Sequence, residues 1–233
     1  MSIPATAISI DLLAYLKMQY QLALRELVFG EDYSGDINGH TEHAIPAYIV
    51  AVAAVETFTN EMLLGPIGQG LKSPKSEGFW NALENVRLSD KLLFAPEFHF
   101  GETFATDAPP YQDMHLLIKL RNSLVHYKMN FDIPKPVKDL KQRGIALGDP
   151  DSPWTSCVST TEGMRWAHKT ACETIRKMIS FADHESHPIL VQYGIFCAHF
   201  LEPIPDVTAT RFVEQLLASK DKPGCFSDRI RIP

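Results

Sequence analysis

Three observations predict an all-α fold. Apolar residues recur at three- and four-residue spacing along the long segments, which is the spacing of one helical face. Stretches rich in glycine and proline, such as 30–40 and 65–74, separate those segments. With 233 residues, 45% of them hydrophobic and 21% charged, the chain is long enough to bury one large core. It carries no internal repeat, heptad run or low-complexity tract. The expectation is an antiparallel helical bundle with additional short helices over residues 1–185, and a C-terminal extension, 186–233, packed on the same domain.

The first helix is expected over 8–28, where Ile10, Leu13, Leu16, Tyr20, Leu24 and Leu27 share a face, with Asp11, Lys17, Gln21 and Arg25 between them. Gly30, Gly35 and Gly39 then end it. Thr41, Glu42 and Pro46 start a second helix, with the proline near the first turn where its missing N–H costs least. This helix runs to about Leu64. Almost every residue from Ala44 to Val55 is apolar, which marks it as central and buried on most sides, and Glu56 and Asn60 break the pattern.

One or two shorter helices are expected within 79–94, ending before Pro96, with 97–110 irregular. Pro109 and Pro110 lead into a strongly periodic helix from about Tyr111 to Asn130. A short helix near 135–143 and a loop reaching Trp154 follow. Ser159, Thr160, Thr161 and Glu162 resemble a capped start to a long helix ending near Ala182. Further helices are expected at 189–201, where periodicity alone also admits a strand, and at 208–219.

A net charge of -6 and a pI near 5.8 argue against binding nucleic acid through bulk electrostatics, so any such site must be local. The N-terminal residues read neither as a signal peptide nor as a transit peptide. The longest apolar run, Ala44 to Val55, falls short of the roughly 20 residues that span a bilayer. A cytoplasmic protein without a membrane partner is the expectation. Cys157, Cys172, Cys197 and Cys225 form no C-x-x-C pair and read as reduced thiols. His184, His187, Cys197 and His199 are the tightest metal candidate, but their spacing matches no familiar tetrahedral pattern, so neither a metal nor a cofactor is expected. Trp80, Trp154 and Trp166 read as core or interface anchors.

The chemically pointed segment is the helix from 111. At about 100° per residue, Leu116, Leu117, Leu120, Leu124 and Tyr127 gather into a core arc. His115, Lys119, Asn122 and His126 fall in a row opposite, at the spacing of helical neighbours. Arg121 lies about 140° from His126 around the cylinder, so its long stem has to reach. Met114, Ile118 and Val125 form a second apolar ridge, suited to another helix or a second subunit. The set suits phosphodiester cleavage. A histidine exchanges a proton with a ribose 2′-OH or a leaving oxygen. Arg121 offers a permanently charged fork for phosphate, and Asn122 positions a hydroxyl or phosphate oxygen. A 2′-hydroxyl nucleophile restricts the reaction to RNA.

The segment LLIKLRNSLVHYK resembles the Arg, four to six residues, His motif of the HEPN superfamily of helical-bundle domains, and Asn122 matches the Asn, Asp or His that often follows the Arg in its ribonucleases. AVAAVETFTNEML, with Glu56 and Asn60, is similar to the acidic-residue helix that packs near that motif, and STTEGMRWAHKTACETIRKMI to the helix that follows it. The likeness spans 8–182. It implies a metal-independent endoribonuclease that cleaves single-stranded RNA as a homodimer, with the motifs of two subunits meeting in one cleft. Arg121 and His126 would be catalytic and Asn122 supporting. A role in defence or stress response follows, with a toxin held by an antitoxin as one option. The toxin pattern of a tyrosine two residues after the His is not met, because Tyr127 follows at once and Lys128 stands at the later place. Glu56 and Asn60 read either as a buried link between helices or, for Glu56, as a direct participant. Lys119 and His115 read as a solvated face or as contacts to RNA phosphate. The alternative function is a noncatalytic domain that holds a nucleotide or a protein partner.

Overall fold

The computed structural model describes residues 8–29, 40–70, 82, 85–126, 132–147, 153–182, 198, 201, 202 and 204. Seven helices lie among them: α1 (Ile8–Phe29), α2 (Ala44–Gly70), α3 (Leu88–Phe100), α4 (Tyr111–Val125), α5 (Lys135–Gln142), α6 (Trp154–Val158) and α7 (Thr161–Ser180). The described residues contain no strand, only an isolated antiparallel bridge between His40 and Thr160. The helices expected at 189–201 and 208–219, the candidate metal residues His184, His187, Cys197 and His199, and Trp80 lie outside the described residues.

α2 is the axis of the bundle and packs against α1, α3, α4 and α7. Ala44, Ala47, Ala51 and Ala54 on it are almost wholly buried, as are Val52, Val55 and Phe58. Small side chains let neighbouring helix axes come close, and the larger residues of α1 and α7 fill the space around them. α1 runs antiparallel to α2. Ser9 near its start donates to Glu61 Oε2 at 2.8 Å, and in its second half Gln19 Oε1 and Glu26 Oε2 lie 2.8 Å and 3.0 Å from the two ring nitrogens of His43.

α7 begins at a true cap, since Thr160 Oγ1 accepts from the Gly163 N–H at 3.0 Å. Glu162, at the second helical position, instead forms a two-point pair with Arg165 at 2.8 Å. Gly163 is required for a different reason. A Cβ built there would stand 1.9 Å from Tyr48 Oη. The Tyr48 hydroxyl is fully buried and donates to the Val158 carbonyl at 2.6 Å, so it has no free direction in which to retreat.

Three boundaries differ from the sequence expectation. α2 continues to Gly70, past Leu64. α3 passes through Pro96 to Phe100 instead of stopping before it. The proline removes one backbone donor, but Leu88, Leu92, Ala95 and Pro96 are buried together and hold the helix across the gap. Gly101, at φ 68°, then closes it by donating to Glu97 O at 3.0 Å. α4 ends at Val125, not Asn130: His126 leaves helical geometry at φ -102°, ψ 39°. Residues 127–131, including Tyr127 of the expected core arc, lie outside the described set. α6 occupies part of a segment read as loop, because Trp154, Cys157 and Val158 bury one side of a single turn. Trp166 is likewise buried, in accord with a structural role.

Of the two partners expected for the second apolar ridge, another helix or a second subunit, Met114 and Ile118 take the first. They are buried within this chain, at 0% and 9% exposure, and do not form a ridge for a second subunit. α4 is enclosed by α2, α5 and α7 and needs more than one apolar face. Val125 alone of that ridge stays exposed. No helix among the described residues is long and apolar enough to cross a membrane.

Two stability predictions follow from these contacts. Gly163→Ala should cost about 1–3 kcal/mol in urea unfolding, through overpacking against Tyr48. Combined with Tyr48→Phe it should cost less than the two single changes added, and strict additivity would show that the clash is not the cause. The second concerns His168, whose buried imidazole is pushed down to about 4 from 6.5, chiefly by desolvation and then by Lys17. The native state therefore refuses a proton that the unfolded chain accepts. Stability should fall as pH drops from about 6.5 towards 4, by on the order of 3 kcal/mol from this residue. His168→Leu should lose less stability over that window than the wild type; identical slopes would contradict the assignment.

Candidate functional site

The site is built where α4 leaves the bundle beside the middle of α2. Up to Ala54 and Val55 the central helix presents almost only apolar groups, so the carboxylate of Glu56 needs a cationic partner or water. It has both. Glu56 Oε2 lies 3.7 Å from Arg121 Nη2, with the two side chains 39% and 25% exposed. One guanidinium nitrogen is thus engaged at long range, and the rest of the fork makes no ion pair among the described residues. This contact brings together two residues that the sequence placed 65 positions apart.

Asn60, one turn further along α2, does not join them. Its Oδ1 accepts from Lys91 Nζ of α3 at 3.0 Å. Lys91 is 1% exposed and was given no role by sequence reasoning. The signal was available, because Leu88, Lys91, Leu92 and Ala95 share the buried face of α3, and a lysine in an apolar register needs an oxygen acceptor. Glu56 and Asn60 therefore tie α2 to α4 and α3 respectively.

His126 is the residue after the last turn of α4. Its N–H donates to Asn122 O at 3.0 Å and its side chain is exposed. Because its backbone has left the helix, the separation of 140° drawn on an ideal wheel no longer describes its relation to Arg121. Asn122 and Lys119 are exposed, and Ser123 Oγ donates back to Lys119 O at 3.0 Å.

His115 lies three turns earlier, roughly 16 Å along the axis from His126. It is half-buried and stacked on Tyr111, with ring centroids 5.9 Å apart at 29°. Burial lowers its pKa, Lys119 lowers it further, and Asp90 opposes them. At neutral pH His115 is therefore an uncharged ring, not a phosphate-attracting cation. Lys119 brings an ammonium to the expected polar row, and Arg121, paired with Glu56 of α2, adds a guanidinium beside it.

Among the described residues, the Cys172–His168 pair is not set up as a nucleophile and its base. Cys172 Sγ lies 3.7 Å from both His168 ring nitrogens, but burial pushes the thiol up to about 12 and the imidazole down to about 4. A thiolate–imidazolium pair needs both shifts reversed. Among the described residues no group of three or more His, Cys, Asp or Glu could hold a metal ion.

The arrangement at the end of α4 offers a guanidinium oriented from behind by a carboxylate, an exposed imidazole five residues on, and an exposed amide and ammonium on the same helix. It can bind an anion and exchange a proton with it. Comparison with protein-family models, curated proteins and solved structures finds no match to this chain.

The two links of α2 should differ in their effect on stability. Glu56→Gln should change it by less than about 1 kcal/mol, because that pair is half-exposed and long. Asn60→Leu should cost about 1–3 kcal/mol, since it removes an acceptor from a buried ammonium. Chemical denaturation of both variants tests this, and a larger loss in Glu56→Gln would reverse the assignment.

Proposed function

We propose that this chain is a cytoplasmic, metal-independent endoribonuclease of HEPN type that cleaves single-stranded RNA as a homodimer. The observation that carries the reading is the pairing of Arg121 with Glu56 at the helix exit where His126 is exposed. Both the guanidinium and the imidazole remain open to water, as a site for a polymeric substrate requires.

The reaction needs no group beyond these. One His126 imidazole takes the proton of a ribose 2′-OH, and the oxygen attacks the adjacent phosphorus. The P–O2′ bond forms as the P–O5′ bond breaks. The second copy's His126, protonated, gives its proton to the departing 5′-oxygen. Arg121 faces the charge that grows on the non-bridging oxygens, where a planar fork of donors is worth most. Asn122 and Lys119 hold the neighbouring backbone. The products are a 2′,3′-cyclic phosphate and a 5′-hydroxyl. Val125, 51% exposed beside His126, supplies an apolar contact for the second copy. Two such ends brought together concentrate positive charge in a chain of net charge -6, which answers the electrostatic objection locally.

A second reading is favoured by one fact: Arg121 already has an internal anion in Glu56. In that case the same end of α4 is a noncatalytic platform for a nucleotide or a protein. Purified protein should cut single-stranded RNA in EDTA and leave 2′,3′-cyclic phosphate ends, and His126→Ala should lower the rate by at least about a thousandfold. Binding of RNA without any cut, or equal cutting by His126→Ala, would leave the platform reading in its place.

A further inference from the structure

The outer face of α3 is occupied by a side-chain set that neither the core nor the proposed site uses. Asp90, Phe94 and Phe98 follow one another at four-residue spacing, with Glu97 beside them. Phe94 is 39% and Phe98 53% exposed. Their rings stack on each other, centroids 5.5 Å apart and 27° between planes. The core face of α3 is already filled by Leu88, Leu92, Ala95 and Pro96, so these two rings are surplus to the fold. Continuation of the helix through Pro96 brings Phe98 to Phe94, since a helix ending earlier would have left the second ring unplaced.

The charge around the rings selects the occupant. Asp90, Glu97 and, just beyond the helix, Glu102 are exposed and form no ion pair among the described residues. Asp90 is felt by Tyr111 and His115 on the flank of α4, and the exposed Arg87 stands at the cap that precedes α3. Such a surface repels a phosphate backbone. It suits guanidinium groups, which stack on aromatic faces while pairing with a carboxylate alongside.

We infer that the Phe94–Phe98 ridge with Asp90 and Glu97 is a docking surface for an arginine-bearing, partly apolar segment of a partner protein. This inference stands apart from the nuclease reading. It is tested with the full chain and a fluorescein-labelled peptide alternating arginine with leucine, read by fluorescence polarisation. A peptide with glutamate in place of arginine should not bind. Phe94→Ser with Phe98→Ser should weaken the arginine peptide roughly tenfold, as should Glu97→Lys. Glu42→Lys makes the same charge change at the exposed turn before α2 and should leave the affinity unchanged. Circular dichroism should show both ridge variants folded, because the residues changed are exposed. Equal weakening by Glu42→Lys would reduce the effect to bulk charge and overturn the inference. So would a peptide affinity indifferent to the two phenylalanines, a loss of single-stranded RNA binding in the ridge variants, or a change in sedimenting mass that makes a second copy the occupant.

Discussion

The fold depends on one helix that is enclosed by others and cannot leave a polar group unanswered. α2 presents alanine and valine to four neighbouring helices, so its neighbours come close and the few side chains on it that carry charge or hydrogen-bonding capacity have to be met. Tyr48 is met by the Val158 carbonyl, and the space its ring requires leaves room only for glycine at 163. Glu56 is met by Arg121 and Asn60 by Lys91. Each pairing draws a different helix to the same axis, so the polar exceptions in α2 act as addresses for its neighbours.

The candidate site follows from that constraint. Arg121 is held from behind because Glu56 had to be satisfied, and it lies near the end of α4 because the helix stops at Val125. His126 then stands outside the helix, on the exposed side of the same exit. A carboxylate behind a guanidinium limits the positions it samples and lowers the ordering cost when an anion arrives. The same carboxylate competes with that anion, so the 3.7 Å separation matters: a tight bidentate pair would occupy the fork, whereas this contact engages one nitrogen.

Much of the architecture was legible in the residues. The apolar run from Ala44 to Val55 identified the central helix, and the Thr160 cap identified the start of α7. Helix ends were less legible for particular reasons. Pro96 signals a stop, but burial of the whole α3 face outweighs one missing hydrogen bond. The periodicity beyond Val125 suggested more helix, yet periodicity reports which residues are apolar and not whether the backbone continues. Met114 and Ile118 marked a second contact face, but a sequence does not say whether another helix or a second copy fills it. At the site, Arg121, Asn122 and His126 were marked by residue type and spacing and Glu56 by its apolar surroundings. Lys91 went unrecognised because its partner, Asn60, is 31 positions away. The lowered pKa of His115 also depends on its burial and on Lys119, with Asp90 opposing, and of these only Lys119 is a matter of local sequence.

The account is tested most directly by a structure of the protein with an oligoribonucleotide whose 2′-hydroxyls are methylated, so that it binds and is not cut. The expected result is one phosphate bracketed by the guanidinium of Arg121 and the imidazole of a His126, with Lys119 or Asn122 on a neighbouring phosphate. An oligonucleotide bound elsewhere while Arg121 keeps Glu56 as its only anion would contradict it.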